Sequence, residues 1–280
     1  MPGSVVLNGL PLHGPDTYGA VWKVNDIEHW LDPAETTGTV EQREHADGGF
    51  TTPSYFKPKT VILKGRVSAP DRRGVLAALD RLSTAIPKSV AKPLVVGDAD
   101  GLTHRLVRQS GQPIFPKPTE RFGRFNIELV APDHRRFSGD GAGPTYSVTV
   151  GLPSQMGGLV LPAAPPWTIN ATVVSGSVIM TNRGNTAPPA LVRIEGPVSK
   201  PVISTDDGQS MPFDMDLTEG QFLLVDLDLR TVLLNGQAPR RGALRAQWIN
   251  LSPGTNTLRF DAAAYNDQAR MTVTWSDSWK

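Results

Sequence analysis

Five histidines, His13, His29, His45, His104 and His134, are the only imidazoles in the 280-residue chain, and all lie in its first half. An imidazole can move a proton near neutral pH or ligate a metal. No two of these stand four residues apart, and none flanks a carboxylate at the spacing of a zinc-protease helix. Surface or rim positions are therefore expected for all five. Cysteine is absent. Its absence removes disulfides, thiol nucleophiles and Cys-based zinc or iron–sulfur sites, and it fits synthesis in a reducing compartment. From residue 135 onward there is neither His nor Cys, so no Ser-His-Asp triad or imidazole metal site can be built there.

Carboxylates are plentiful in the second half: Asp206, Asp207, Asp214, Asp216, Glu219, Asp226 and Asp228. A glycosidase needs two such groups across a cleft, one with a raised pKa. The pairs Asp214/Asp216 and Asp226/Asp228 instead have the two-residue spacing of one strand face, which is ordinarily solvated. Asp206-Asp207-Gly208-Gln209 has oxygen ligands for calcium but not the EF-hand pattern. No Walker sequence occurs, and Gly139-Asp140-Gly141-Ala142-Gly143 runs into Pro144 rather than a helix, so it is no phosphate loop. Arg135-Arg136 and Arg240-Arg241 are too small for a nucleic-acid surface. The sequons at Asn170 and Asn250 matter only on an exported chain. No catalytic residue, cofactor or metal is expected. Aromatic rings leave one binding chemistry open: Trp248, Tyr265 and Trp279 could stack on sugar rings, whereas Trp167 and Trp275 fall in phase with core positions.

The elements that must position these groups are mostly strands. Lys and Arg number 28 against 27 Asp and Glu, a net charge of +1, which excludes a broad polyanion-binding or anionic-membrane surface. Glycine (27) and proline (25) are in excess and imply many turns. No apolar run is long enough to cross a membrane as a helix, and the first residues lack the pattern of a secretory signal. Val5-Val6-Leu7 before Asn8-Gly9 predicts a tight hairpin. Glu35–Phe50 reads as a mobile polar loop, and Thr60–Val67 as a strand. A helix is predicted from about Asp71 to Ile86, with Leu76, Leu79, Leu82 (or Ser83) and Ile86 as its apolar stripe. Phe125, Ile127 and Leu129 alternate with Arg124, Asn126 and Glu128, a half-buried strand. Residues 131–166 are rich in Gly and Pro. The division is therefore 1–150 as a first domain, 151–166 as a linker and 167–280 as a second. The second is all-β, with strands at 167–174, 178–181, 190–195, 201–204, 221–226, 231–234, 256–260 and 271–275, the density of a β-sandwich or barrel.

Two stretches carry a resemblance to a known family. One is Phe56-Lys57-Pro58-Lys59-Thr60-Val61-Ile62-Leu63-Lys64-Gly65-Arg66-Val67, leading into the helix. The other runs through Asn182-Arg183-Gly184-Asn185-Thr186, Ile194-Glu195-Gly196-Pro197, Leu224-Val225-Asp226-Leu227-Asp228, Arg230–Gly236 and Leu251–Phe260, and closes on Trp275-Ser276-Asp277-Ser278-Trp279. In this order they resemble the distal tail proteins of siphovirus-type, long flexible-tailed bacteriophages, and the closing segment resembles those of actinobacterial phages. The resemblance implies a mainly β chain. Its first part would be a β-sandwich-like ring domain with one helix and an extended hairpin, and its second a galectin-like β-sandwich. It implies a structural virion protein at the tail tip, not an enzyme, made in the host cytoplasm. Six copies would close a ring between the tail tube protein and the hub or fibre proteins, leaving a channel through which DNA passes without specific binding. A carbohydrate-binding module for host cell-wall glycan is the alternative, with no membrane insertion in either case.

Overall fold

In a computed structural model, which describes residues 3–156, 172–174 and 176–280, the chain divides into two compact units. The first comprises Met1–Gly143 with Trp279–Lys280, the second Pro144–Ser278.

The first unit opens with the expected hairpin. Ser4–Leu7 pairs with Leu10–Pro11, and Asn8 and Gly9 take φ of 47° and 83° in the turn, the left-handed values that suit such a tight turn. From Leu10–Pro11 the sheet runs through Ser4–Leu7, Lys92–Asp98, Gly101–Gln109, Phe122–Ala131, Lys59–Ser68 and Val21–Glu28 to His13–Pro15. Its two outer strands, Leu10–Pro11 and His13–Pro15, are separated in sequence by Leu12 alone, so the sheet curls until its edges approach. Leu7, Leu12, Trp22, Leu63, Leu94 and Ile127 meet in one core. Gly65 is required there: a Cβ would lie 2.7 Å from the Lys23 carbonyl and overlap the Phe125 ring.

The helix spans Arg72–Ala85, and Asp71 caps it by accepting the Gly74 N–H at 2.7 Å, as the sequence predicts. Val75, Ala78, Leu79 and Leu82 are buried. Leu76, assigned to the apolar stripe, is instead 44% exposed. Steps of three residues fall about 60° short of a full turn, so a stripe counted back by threes from Leu82 drifts off the buried arc. Asp16 joins the helix to the neighbouring hairpin. Its buried carboxylate accepts from Trp22 Nε1 (2.9 Å), from the Tyr18 and Ala20 amides, and from Arg81 at 2.7 Å. Burial pushes its pKa up, but the hydrogen bonds from Trp22, Ala20, Tyr18 and Arg81 outweigh it and hold the group below the ordinary Asp value.

The second unit is a sandwich. One sheet runs Tyr146–Gly151, Arg270–Trp275, Ala190–Glu195, Phe222–Asp226, Thr231–Leu234, Ala238–Pro239; the other runs Ser177–Asn182, Gly254–Asp261, Val202–Thr205, Ser210–Pro212. Val192, Ile194, Val225 and Val273 of the first sheet share a core with Val178, Met180, Ile203 and Phe260 of the second. The unit begins earlier than expected. Tyr146–Gly151 pairs along Arg270–Trp275, with Tyr146 opposite Trp275, so this strand belongs to the sandwich and not to a domain ending at 150. Ser154–Met156 pairs with Thr172–Val174, so the linker expected at 151–166 has a strand at its start. Its remainder and the strand onset at Trp167 lie outside the described residues.

The Asn182-Arg183-Gly184 turn and the closing segment hold each other. Asn182 Oδ1 accepts from Gly184 N (3.0 Å) and Ser278 N (3.1 Å), and its Nδ2 donates to the Thr186 carbonyl at 2.6 Å. Asp277 accepts from Arg183 N and from the Tyr146 hydroxyl, both at 3.0 Å. Trp275 Nε1 donates to the Thr181 carbonyl at 3.2 Å. Gly184 lies flat on this segment, where a Cβ would stand 2.8 Å from Ser278 N and nearer still to its carbonyl.

Two outcomes follow for stability. Gly184→Ala should cost about 3 kcal/mol in urea denaturation, while Gly242→Ala, where a Cβ meets nothing within 4 Å, should change it by no more than about 0.5 kcal/mol. Asp16→Ala should cost about 3 kcal/mol at pH 7 by leaving Arg81 and Trp22 without their acceptor. Because the folded pKa of Asp16 is depressed, its contribution is complete above the unfolded value and is lost as pH falls through the folded one. The gap between the variant and the parent chain should therefore narrow below about pH 4.

Candidate interaction surfaces

Between Val21–Glu28 and Lys59–Ser68 the chain leaves the sheet. It does so as a hairpin arm with two paired segments rather than the polar loop expected at Glu35–Phe50. Thr36–Thr37 pairs with Tyr55–Phe56, and further out Val40–Gln42 pairs with Gly49–Thr51. From residue 35 to residue 58 every residue except the half-buried Gly49 is exposed. Val40 is 73% exposed, Phe50 65% and Tyr55 70%. A two-stranded ribbon that buries no side chain is marginal alone in water.

The root of this arm, in contrast, is fixed by buried cations. Arg105, from the Gly101–Gln109 strand, is 2% exposed. Its guanidinium donates to the carbonyls of Trp30 (3.2 Å) and His134 and lies over the Trp30 ring. Burial, aided by nearby Arg136 and opposed by Asp133, lowers its pKa to about 10, so it stays charged at neutral pH. Lys59 is also buried and donates to the Pro33 carbonyl at 3.1 Å; burial and Arg105 lower its pKa. Phe56 stacks on His134 at 4.3 Å. A groove of about 580 Å³ beside the root is lined by Asp26, His29, Trp30, Asp32, Val96 and Asp98, among others.

The histidines do not assemble. His13, His29 and His45 are exposed, as expected. His104 is not at the rim: it is 7% exposed, bonded to the Gly139 carbonyl at 3.1 Å and set against Phe137. Burial drives its pKa down, with the Gly139 bond opposing. Phe137 reaches it from the Arg136–Ser138 strand, a long-range pairing that local sequence does not announce.

Most of the second unit's singled-out carboxylates lie in turns and ion pairs. Asp226 accepts the Asp228 and Leu229 amides, Asp206 pairs with Arg259 and Asp214 with Arg245 and Lys200, and Asp207 binds Thr205 and Gln209. Among the described residues no group of His, Asp and Glu has the arrangement of a metal site. The expected sugar-stacking aromatics are dispersed. Trp248 packs on the core beneath Arg241, 5.1 Å from its ring centroid. Tyr265 is 54% exposed. Trp279 belongs to the first unit, where Arg136 lies 5.2 Å from its ring centroid. Depressions of about 370 and 210 Å³ in the second unit are lined by neither Trp248 nor Tyr265.

Arg105→Met should leave the Trp30 and His134 carbonyls unsatisfied, a cost of about 2 kcal/mol. Amide exchange should accelerate at residues 30–34 and 56–59 more than in the helix. Uniform acceleration would mean that Arg105 serves the whole core rather than the arm.

Residues 183–279 match the family model for the siphovirus-type tail component, C-terminal domain. No curated protein matches the sequence. Among solved structures, the SPP1 Dit (gp 19.1) protein, described as a paradigm of the hub adsorption apparatus in phages infecting Gram-positive bacteria, is 12% identical. It aligns over 99% of both chains with a TM-score of 0.64. A chain of the phage P2 baseplate in its activated conformation with Ca is 10% identical over 88% of this chain and 92% of its own, with a TM-score of 0.42. Residues 183–279 thus carry the siphovirus-type tail component C-terminal domain, and the chain shares the fold of the SPP1 Dit protein.

Proposed function

We propose that this protein is a structural component of the tail tip of a siphovirus-type phage, built into the particle as a ring of six copies. The ring joins the tail tube to the hub or fibre proteins and leaves a channel for DNA. The observation that carries this reading is the arm. Ordering a residue costs roughly 1–2 kcal/mol in backbone entropy, and from residue 35 to residue 58 the arm recovers little of it within its own chain beyond the stacking of Phe56 on His134 at its root. Val40, Phe50 and Tyr55, exposed together on one ribbon, have the character of an interface awaiting its partner. An arm on one copy that meets a different surface on the next is a heterologous contact, and such contacts close into rings when the rotation allows. The role is positional rather than catalytic, in keeping with carboxylates engaged in turns and ion pairs. Its partners are other tail proteins.

Replacing residues 36–56 by a short Gly-Ser link should leave the thermal midpoint within a few degrees, since no side chain of the core is removed. In native mass spectrometry the full chain should give the six-copy ring and the shortened chain only monomer. A full chain that stays monomeric at every salt concentration, or a ring that survives loss of the arm, contradicts the proposal.

A further inference from the structure

One row of the first unit's sheet is charged in a way that folding alone does not explain. The register sets His13 opposite Lys23, Lys23 opposite Arg66, and Arg66 opposite Arg124. Side chains directly opposite on adjacent strands share a face and lie about 5 Å apart at Cβ. All four residues are exposed, whereas Trp22, Val67 and Phe125, next to them in sequence, are buried. Three permanent cations and an imidazole thus cross four strands side by side on the outer face. Among the described residues their side chains make no hydrogen bond or ion pair. Like charges placed directly opposite destabilise a sheet, so this row is a cost within the isolated chain. The nearest acidic side chains of the face leave it uncompensated: Glu28 is paired with Lys64, and Asp26 stands opposite Lys64, in the adjoining row.

The next row on the other side is apolar. Pro15, Val21 and Phe122 lie across from one another with Ser68 between the last two; Val21 is 47% exposed and Phe122 54%. A basic strip flanked by an exposed apolar strip has the mixed character of a protein interface more than that of a polyphosphate track.

The arm supplies the complement. Between Thr36 and Phe56 it carries Glu41, Glu44 and Asp47 against one permanent cation, Arg43, beside exposed Val40 and Phe50. We infer that the Lys23–Arg66–Arg124 row, with Val21 and Phe122, is the surface of one copy that receives the acidic, apolar arm of a second copy of this chain. The inference rests on the ring reading above and names its acceptor. Opposite charges bring the arm in and fix its register, and Phe50, which shares its face of the ribbon with Glu41, buries against Phe122 and Val21. The same contact neutralises a row of cations that would otherwise retain DNA if it faced the channel.

The full chain with Phe50→p-benzoylphenylalanine tests this by photocrosslinking, with sedimentation velocity in parallel. Crosslinks between copies should map to the Val21 and Phe122 segments. They should fall about tenfold in the Lys23→Glu/Arg66→Glu/Arg124→Glu chain and return when Glu41, Glu44 and Asp47 of that chain are changed to Lys. Restoration by the double reversal separates a lost contact from a misfolded sheet. Association that persists with crosslinks elsewhere, or with crosslinks indifferent to the reversal, overturns the acceptor and leaves the ring standing. A chain monomeric by sedimentation and without crosslinks overturns both. A single-stranded oligonucleotide bound by the parent chain and not by the triple variant, with crosslinks unchanged, assigns the row to a polyanion and overturns the inference.

Discussion

A guanidinium sealed under Trp30 is the constraint on which the geometry of the first unit's arm depends. Arg105 gives up nearly all of its water, a cost that burial registers directly in its lowered pKa. What it receives in return is a pair of backbone carbonyls, one at Trp30 where the arm departs and one at His134, whose ring lies against Phe56 where the arm returns. A buried cation bonded to carbonyls tolerates little displacement, because any shift leaves charge and acceptors unmatched in a medium that cannot solvate them. The root is therefore rigid while the ribbon beyond it buries nothing. The root thus fixes the direction in which the exposed ribbon leaves the sheet.

The second unit uses polar groups in another way. Asn182 and Asp277 are buried; Asn182 bonds both within its own turn and to Ser278, and Asp277 bonds to that same turn at Arg183 and to Tyr146. With Gly184 lying against Ser278, the closing residues can dock in one register only.

Much of this was legible before any coordinates. The strands at 178–181, 190–195, 222–226, 231–234 and 271–275 follow from period-two alternation, because each presents one face to the core and one to solvent. Asp71 before a periodic run announces the helix start. Other features escaped for physical reasons. Lys92–Asp98 is a strand in which Leu94, Val95 and Val96 are all buried, so alternation vanishes. Tyr146–Gly151 has the local pattern of a strand, but nothing local says which sheet it joins; only its pairing with Arg270–Trp275 decides that. The arm read as a loop because strands exposed on both faces carry no hydrophobic period. Arg105, at the centre of the arm's root, gave no signal at all, since a lone arginine among strand residues looks like an outward-facing one.

A basic row on one face, an acidic ribbon with exposed aromatics, and a rigid root between them describe a protomer incomplete by itself. The account therefore stands or falls on what surrounds the arm in the particle. A cryo-electron microscopy reconstruction of the intact tail tip, at a resolution that follows the backbone, measures this most directly. It should show an annulus of six copies in which each arm lies along the sheet of its neighbour, around an open channel. Density for this chain as an isolated subunit on the periphery, with its arm in solvent, would contradict the account.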